Sequence, residues 1–214
     1  MSLLLCGLFL QASGPDTLRV KATAAPTVFD GRATAREYGV PDVELGAKGA
    51  VQLWIRRDGA SVTIAVHLSD STRYWGDAVI VSVDPRGDGA AAPADDDAQW
   101  TLRRAPDSSV VARGRHGRWV PPGDDPDWRL GSERGGEGWE LRTHDDGDGW
   151  SVELRLDAEW LGGHAGRLSS IAIRTYDDAP QQWRAWPLPA GMPAPVLESR
   201  PALWAPVLLD QRSH

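Results

Sequence analysis

Apolar and polar residues alternate over two adjacent segments of the chain, residues 51–57 and 61–69. A period of two residues is the pattern of a β-strand with one buried face, because successive side chains point to opposite sides of the strand. Between the segments lies the pair Asp58-Gly59, and such pairs favour the tight turn of a hairpin. The pattern therefore predicts two antiparallel strands joined by a short turn.

The same alternation predicts further strands in five segments: residues 77–84, 141–143, 150–156, 171–175 and 203–209. The last segment is interrupted by Pro206, which is typical of an edge or terminal strand. Helical signal is limited to residues 157–162, where Asp157 favours a helix start and Gly162 a helix end. Many strands and one short helix predict an all-β fold, an antiparallel β-sandwich.

Three segments rich in glycine, proline and acidic residues are predicted to be loops: residues 84–97, 121–127 and 131–138. Loops on a rigid sandwich often carry binding residues. Residues 187–206 are rich in proline and are predicted to pack in an extended conformation across one sheet. Because no internal repeat or change in composition divides the 214 residues, residues 15–214 are predicted to form one domain that includes this Pro-rich tail.

Residues 1–14 have a different pattern, a short apolar run from residue 3 to residue 10 followed by small residues. This is the pattern of a secretory signal peptide. The run is much shorter than the roughly 20 residues needed to cross a bilayer, so no membrane span is predicted. The only cysteine, Cys6, lies in this segment, so the mature chain would contain neither a disulfide nor a thiol nucleophile. We therefore expect a periplasmic or secreted protein.

The aromatic composition is unusual, with eleven tryptophans against two phenylalanines and three tyrosines. Tryptophan serves both cores and binding faces, so this composition favours recognition of a ligand. The net charge of −7 argues against nucleic acid or an anionic membrane as a partner, because both need clustered Lys and Arg. The five histidines show no paired metal-ligand spacing, and no G-x-S-x-G sequence is present. We expect a protein that is not an enzyme.

Short motifs occur in a fixed order along nearly the whole chain. They are Val-Phe-Asp-Gly-Arg at residues 28–32, Asp70 at the end of the predicted hairpin, Tyr-Trp-Gly-Asp-Ala-Val at 74–79, Trp-Ser-Val-Glu at 150–153 and Pro-Ala-Leu-Trp at 201–204. In this order they resemble carbohydrate-binding module family 9-like domains, a DOMON-like group of β-sandwiches. The resemblance implies a jelly-roll-type sandwich that binds sugars between aromatic side chains and often holds structural calcium.

Two half-sites for a sugar are predicted. A sugar ring stacks on an indole face while polar side chains bind its hydroxyls, so a site needs tryptophan beside polar residues. One half-site is Trp75 with Arg73 and Asp77, and the other consists of Gln182, Trp183 and Trp186. The sequence leaves open which of the last two tryptophans faces the ligand. The alternative is that Trp75 and Trp186 are core residues.

The acidic loop at residues 84–97 is a candidate calcium site. Asp84, Asp88, Gly89 and Asp95 fall at positions one, five, six and twelve of a calcium-binding loop, which supplies oxygen ligands around a glycine turn. Neighbouring acids at Asp70 and at residues 177–178 are further candidate ligands. The alternative is a solvated acidic loop.

Two hypotheses about function follow. The first is a non-catalytic carbohydrate-binding protein of the exported family 9-like type, with a sugar stacked between tryptophan side chains. The second is a structural or protein-interaction sandwich without a sugar site. The first requires Trp75 and one of Trp183 and Trp186 to be exposed to solvent and to face each other across a cleft, and burial of both tryptophans in the core would exclude it. The second predicts no cleft.

Overall fold

The structure, a computed structural model, describes residues 17–23, 27–105, 108–121, 138–161, 168–178 and 181–209. Strands dominate this part of the chain: β1 (Leu18–Ala22), β2 (Val43–Leu45), β3 (Val51–Asp58), β4 (Ser61–Leu68), β5 (Ala78–Asp84), β6 (Ala98–Arg103), β7 (Val110–Arg115), β8 (Arg118–Val120), β9 (Trp139–Asp145), β10 (Trp150–Asp157), β11 (Leu168–Asp177), β12 (Gln182–Trp186) and β13 (Ala205–Leu209). The predicted signal segment and most of the predicted loops at 121–127 and 131–138 lie outside the described residues.

Helices are short in the described ranges. They comprise α1 (Ala35–Tyr38), α2 (Ala194–Leu197) and 3-10 turns at Ala47–Gly49, Ala158–Leu161 and Pro201–Leu203. The turn at Ala158–Leu161 is the helical turn predicted after residue 157. None of the described helices has the length and apolar character needed to span a membrane.

The strands form two layers that are joined through β1. Sheet A has the strand order β8-β7-β6-β5-β11-β13-β1, and sheet B has the order β1-β3-β4-β10-β9. β1 pairs in parallel with β13 and then with β3, whereas the other pairs are antiparallel. β12 pairs with β11 beyond the end of β13, and β2 pairs with β3 beyond the end of β1. The predicted all-β sandwich is confirmed, with one parallel strand that the prediction did not include.

The core lies between the two sheets and consists of the alternating apolar residues. Val62, Ile64 and Val66 of β4 and Val79 and Val81 of β5 are all fully buried in one cluster. Burying each such side chain contributes about 1.5–3 kcal/mol. The outward-facing positions of the same strands are therefore available for other contacts.

The hairpin predicted around Asp58-Gly59 is confirmed as β3 and β4, which pair along their whole lengths. Gly59 has a φ of +60°, a conformation that glycine adopts at little cost. The terminal strand β13 is also confirmed, but it does not lie at an edge, because β11 and β1 flank it. Pro206, which has no N–H to donate, is tolerated since the pairing with β1 begins only at Val207.

The C-terminal tail differs from the prediction. Instead of one extended segment, residues 187–204 contain α2 and a 3-10 turn, and they cover part of the outer face of sheet A. Leu197 and Trp204 are buried there against the small residues Ala172 and Ala185, and Trp204 Nε1 donates to Leu197 O at 2.8 Å. An extended chain would hold these two large side chains roughly 23 Å apart, so only the turns allow them to be buried together.

Glu153 attaches the N-terminal segment to the outer face of sheet B. Its side chain is fully buried and accepts hydrogen bonds from Gly31 N at 2.6 Å and from the Tyr38 hydroxyl. Tyr38 in turn packs in a small buried cluster with Trp54 and Ala65. Burial raises the pKa of Glu153. This carboxyl group therefore holds the fold together and is not part of a binding surface.

Replacing Glu153 with alanine should lower the free energy of unfolding by about 3 kcal/mol, because two buried donors lose their acceptor at a cost of roughly 1–3 kcal/mol each. Urea unfolding followed by circular dichroism measures the change. Glu140→Ala, at an exposed position of the neighbouring strand β9, should change the free energy by less than about 0.5 kcal/mol. Equal stability of the two variants would contradict the role assigned to Glu153.

Candidate functional site

One row of side chains crosses the outer face of sheet A at the end where β5 begins. Residues that pair directly across neighbouring strands point to the same side of a sheet. Arg103 of β6 pairs with Ala78 of β5, Ala78 with Tyr176 of β11, and Tyr176 with Trp183 of β12. Trp183 packs against the cluster under the C-terminal tail, which identifies this side as the outer face. We call this row, together with Trp75, the aromatic end of sheet A.

Trp75 lies in the turn that leads into β5. Asp77 N donates to Tyr74 O at 3.3 Å, and the Asp77 carboxylate accepts hydrogen bonds from Tyr74 N at 3.2 Å and Asp178 N at 3.1 Å. These bonds tie the turn to the end of β11. The Trp75 carbonyl accepts a hydrogen bond from Arg103 Nη1 at 2.9 Å, while the Trp75 residue is 87% exposed. The turn therefore holds an indole in solvent beside the row.

Asp77 and Arg73, which were predicted to form one half-site with Trp75, have different surroundings. Asp77 is 1% exposed, burial raises its pKa, and both of its oxygens accept backbone N–H groups. It therefore supports the turn from inside. Arg73 is mostly exposed, and its Nε lies 3.1 Å from Asp145 Oδ2 at the end of β9. The structure thus directs Arg73 toward sheet B.

The second predicted half-site lies on β12, where alternation separates its two tryptophans. Trp183 is on the outer face, with its ring centroid 4.4 Å from that of Tyr176. Trp186, three residues later, points to the other face and packs against the main core. Gln182 is exposed and accepts a hydrogen bond from Arg184 Nη2 at 2.6 Å. The aromatic end therefore includes Trp183, and the geometry separates it from Trp186.

Three carboxylates meet at the far end of β5. Asp84, Asp96 and Asp97 each place an oxygen within 4.8 Å of the other two. The strand register explains this cluster: Val83 of β5 pairs with Ala98 of β6, so the residues that follow β5 and precede β6 come together again. The first residue of the acidic loop thus contacts the last residues of the same loop.

Asp97 is a buried member of this three-carboxylate cluster, and one of its carboxylate oxygens makes no hydrogen bond among the described residues. The residue is 1% exposed, its Oδ2 accepts a hydrogen bond from Ala94 N at 2.7 Å, and its Oδ1 has no hydrogen-bond partner among the described residues. Burial, together with the charges of Asp84 and Asp96, raises the pKa of Asp97 to about 7. A cation is the kind of partner that such an oxygen favours.

Asp88 and Asp95, which were predicted with Asp84 as metal ligands, lie inside the loop and have other contacts. Asp88 is exposed, and its Oδ1 accepts a hydrogen bond from Ala90 N at 3.2 Å. The Asp95 side chain is also exposed, and its Oδ2 lies 3.4 Å from Arg115 Nη1. Asp84 is therefore the only one of the three predicted ligands that the structure brings into the three-carboxylate cluster.

Sequence reasoning missed Arg103, Tyr176, Asp96 and Asp97 as site residues. Arg103 and Tyr176 become neighbours of the Trp75 turn only through strand pairing, so no local pattern marks them. Asp96 and Asp97 had a usable signal: they end an acidic run immediately before the alternating segment at residues 98–103, which marks the start of a strand.

Comparison with known proteins supports the fold. A scan against models of protein families found no match, and neither did a search of curated proteins. Solved structures do match. A carbohydrate-binding module of family 9 from Caldicellulosiruptor kristjanssonii in complex with glucose has a TM-score of 0.59 and 14% identity, covering 91% of this chain and 97% of the module.

Two further structures agree with this match. A family 9 module from the same organism in complex with cellotriose has a TM-score of 0.58 and 14% identity, over 91% of this chain and 95% of the module. A protein from Bacteroides uniformis proposed to bind carbohydrate has a TM-score of 0.56 and 13% identity, and the match covers 92% of this chain and 100% of the Bacteroides protein. The family 9-like fold inferred from the order of motifs is therefore confirmed.

The different positions of two tryptophans lead to a test of the geometry. Trp75→Ala should change the free energy of unfolding by less than about 0.5 kcal/mol, because the removed indole is in solvent. Trp186→Ala should lower it by about 3 kcal/mol, because it removes a large side chain packed on the core. Urea unfolding of the two variants provides the comparison, and a large loss of stability in Trp75→Ala would disprove the exposed position.

Proposed function

We propose that this protein is a non-catalytic carbohydrate-binding protein that stacks a sugar ring on Trp75 at the aromatic end of sheet A. The main support is the 87% exposed Trp75 indole on a turn whose backbone is held by the buried Asp77. A large aromatic surface that is already ordered loses little conformational entropy when a ligand binds. An exposed tryptophan of this kind contributes little to the stability of the fold, but it offers a surface for binding a ligand.

The neighbouring side chains have the chemistry that a sugar requires. Axial C–H groups of a pyranose pack on an aromatic face, and its hydroxyls bind polar groups. Arg103 carries five N–H donors, and its guanidinium is next to the Trp75 carbonyl. Across the small Ala78, the rings of Tyr176 and Trp183 form a second aromatic surface. We therefore place the ligand between Trp75 and the Tyr176–Trp183 pair, with Arg103 binding hydroxyl oxygens.

The comparisons supply the choice of ligand to test first. Two of the matching structures are family 9 modules in complex with glucose and with cellotriose. We propose that this chain binds a related β-glucan or its end. The signal-like pattern of residues 1–14 supports a periplasmic or secreted location, where such glycans are encountered.

Binding is tested by titrating the protein with cellotriose and following tryptophan fluorescence and heat release. Trp75→Ala should weaken binding at least 10-fold, because a stacked aromatic contact and its buried area are lost. Val40→Ala, which also removes an exposed apolar side chain but lies beside sheet B, should bind as the unmodified protein does. A glycan screen without hits, together with a defined protein partner, would instead favour an interaction domain.

We also propose that the three-carboxylate cluster holds a structural calcium ion. Support comes from the buried Asp97 Oδ1 without a hydrogen-bond partner, from three convergent carboxylates and from the preference of calcium for oxygen ligands. Arg86 Nε lies 3.5 Å from Asp96 Oδ2 and neutralises one of the three charges. Asp84, Asp96 and Asp97 would be ligands, and the ion would join the two ends of the acidic loop.

Removal of calcium should lower the melting temperature by several degrees, because an ion that binds only the folded state stabilises it. Thermal unfolding with added calcium and with a chelator measures the difference. In Asp97→Asn the two melting temperatures should nearly coincide, whereas Glu159→Gln, which removes an exposed negative charge elsewhere, should keep the full difference. Identical melting of the unmodified protein in both conditions would rule the ion out.

A further inference from the structure

The proposed sugar site contains a tryptophan, Trp183, whose ring lies against a buried cation. Arg174 of β11 lies on the same face as Tyr176, two residues away, and is 5% exposed. Its guanidinium carbon is 4.1 Å from the centre of the Trp183 ring. A guanidinium over the face of an indole is attracted by the ring electrons, but a buried guanidinium also needs hydrogen-bond acceptors for its N–H groups. The position of Arg174 must therefore be set by another contact.

That contact is Glu198, which the C-terminal tail brings onto sheet A. Arg174 Nη2 forms an ion pair with Glu198 Oε2. With the Gln99 amide oriented to satisfy both of its ends, its nitrogen donates to Glu198 Oε1 at 3.1 Å. Both carboxylate oxygens are thus engaged, one by a charge and one by a buried amide. Glu198 is held in one position, and it holds Arg174.

The tail itself is anchored independently of this ion pair. Leu197, the residue before Glu198, is buried in the cluster with Ala172 and Trp204. The Glu198 carbonyl accepts a hydrogen bond from Trp119 Nε1 at 3.1 Å, and the Trp119 and Trp204 rings are stacked with an interplanar angle of 4°. Removing the Glu198 carboxylate therefore leaves the tail bound to the sheet.

We propose that Glu198 is a positioning residue for the sugar site, acting on Trp183 through Arg174. This rests on the proposed function above. With Glu198 present, the guanidinium lies on the indole and restricts the ring to one orientation. Without it, a buried cation loses the carboxylate that offsets its desolvation, so Arg174 moves toward water and Trp183 gains freedom. The binding surface then has to be ordered each time a ligand binds, which weakens affinity.

The effect on binding is measured by titrating cellotriose into variants. Glu198→Ala should weaken binding about 5- to 10-fold, and Glu198→Gln, which keeps the shape and a hydrogen-bond acceptor, should have a smaller effect. Glu44→Ala, at an exposed glutamate of sheet B that binds Gln52, serves as the matched control and should bind normally.

In an Arg174→Met background, Glu198→Ala should cause no further loss, because coupled residues are not additive. An equal loss in both backgrounds would mean that Glu198 touches the sugar itself and would overturn the proposal.

A second measurement needs no ligand. Acrylamide quenching of Trp183 is obtained as the difference between each variant and the same variant carrying Trp183→Phe. Glu198→Ala should increase the quenching of Trp183, and Glu44→Ala should not. Unchanged quenching would refute the positioning role whether or not a sugar binds. If quenching rises while neither the unmodified protein nor any variant binds a sugar, the positioning of Trp183 holds and the carbohydrate proposal alone fails.

Discussion

The pleat of β11 is the constraint on which both the core and the aromatic end depend. Ile171 and Ile173 of this strand are buried between the sheets, and Arg174 and Tyr176 lie on the outer face. A shift in pairing by one residue would bring the isoleucines to the surface and the polar residues into the core. The free energy of burying the isoleucines therefore sets the direction in which Tyr176 points, and the aromatic end receives its geometry from the core.

Buried carboxylates connect this framework to its loops. Asp77 accepts backbone N–H groups from the Trp75 turn and from the end of β11, and Asp84 accepts them from three residues of the acidic loop, at 2.7–3.0 Å. Charge-assisted bonds of this kind are stronger than bonds between neutral groups. The loops beside the sheet are thus held in place by side chains that never reach the surface, while exposed residues such as Trp75 are left free for contacts.

The sequence predicted those features that depend on local pattern. In β3, β4, β5 and β10 an apolar residue recurs at every second position, so the existence of these strands and the faces they turn to the core were predictable, and the order of motifs led to the correct fold. β12 carries apolar residues on both faces, so its alternation is hidden, and only pairing with β11 separates Trp183 from Trp186. The predicted set of calcium ligands in the acidic loop differs from the three-carboxylate cluster for a related reason. A calcium-loop spacing assumes ligands that follow one another around a single turn, whereas the register of β5 and β6 brings together its two ends.

The position of β1 has a consequence for how the domain assembles. β1 pairs with β13 on one side and with β3 on the other, so the first and last described strands are neighbours at the junction of the two layers. Contacts between the ends of a chain are among the slowest to form, because the closure entropy of the whole intervening length must be overcome first. The junction can close only after β13 has left the ribosome. Until then the edges of β1 and β11 that pair with β13 lack their partner, and an open strand edge is prone to pairing with another chain.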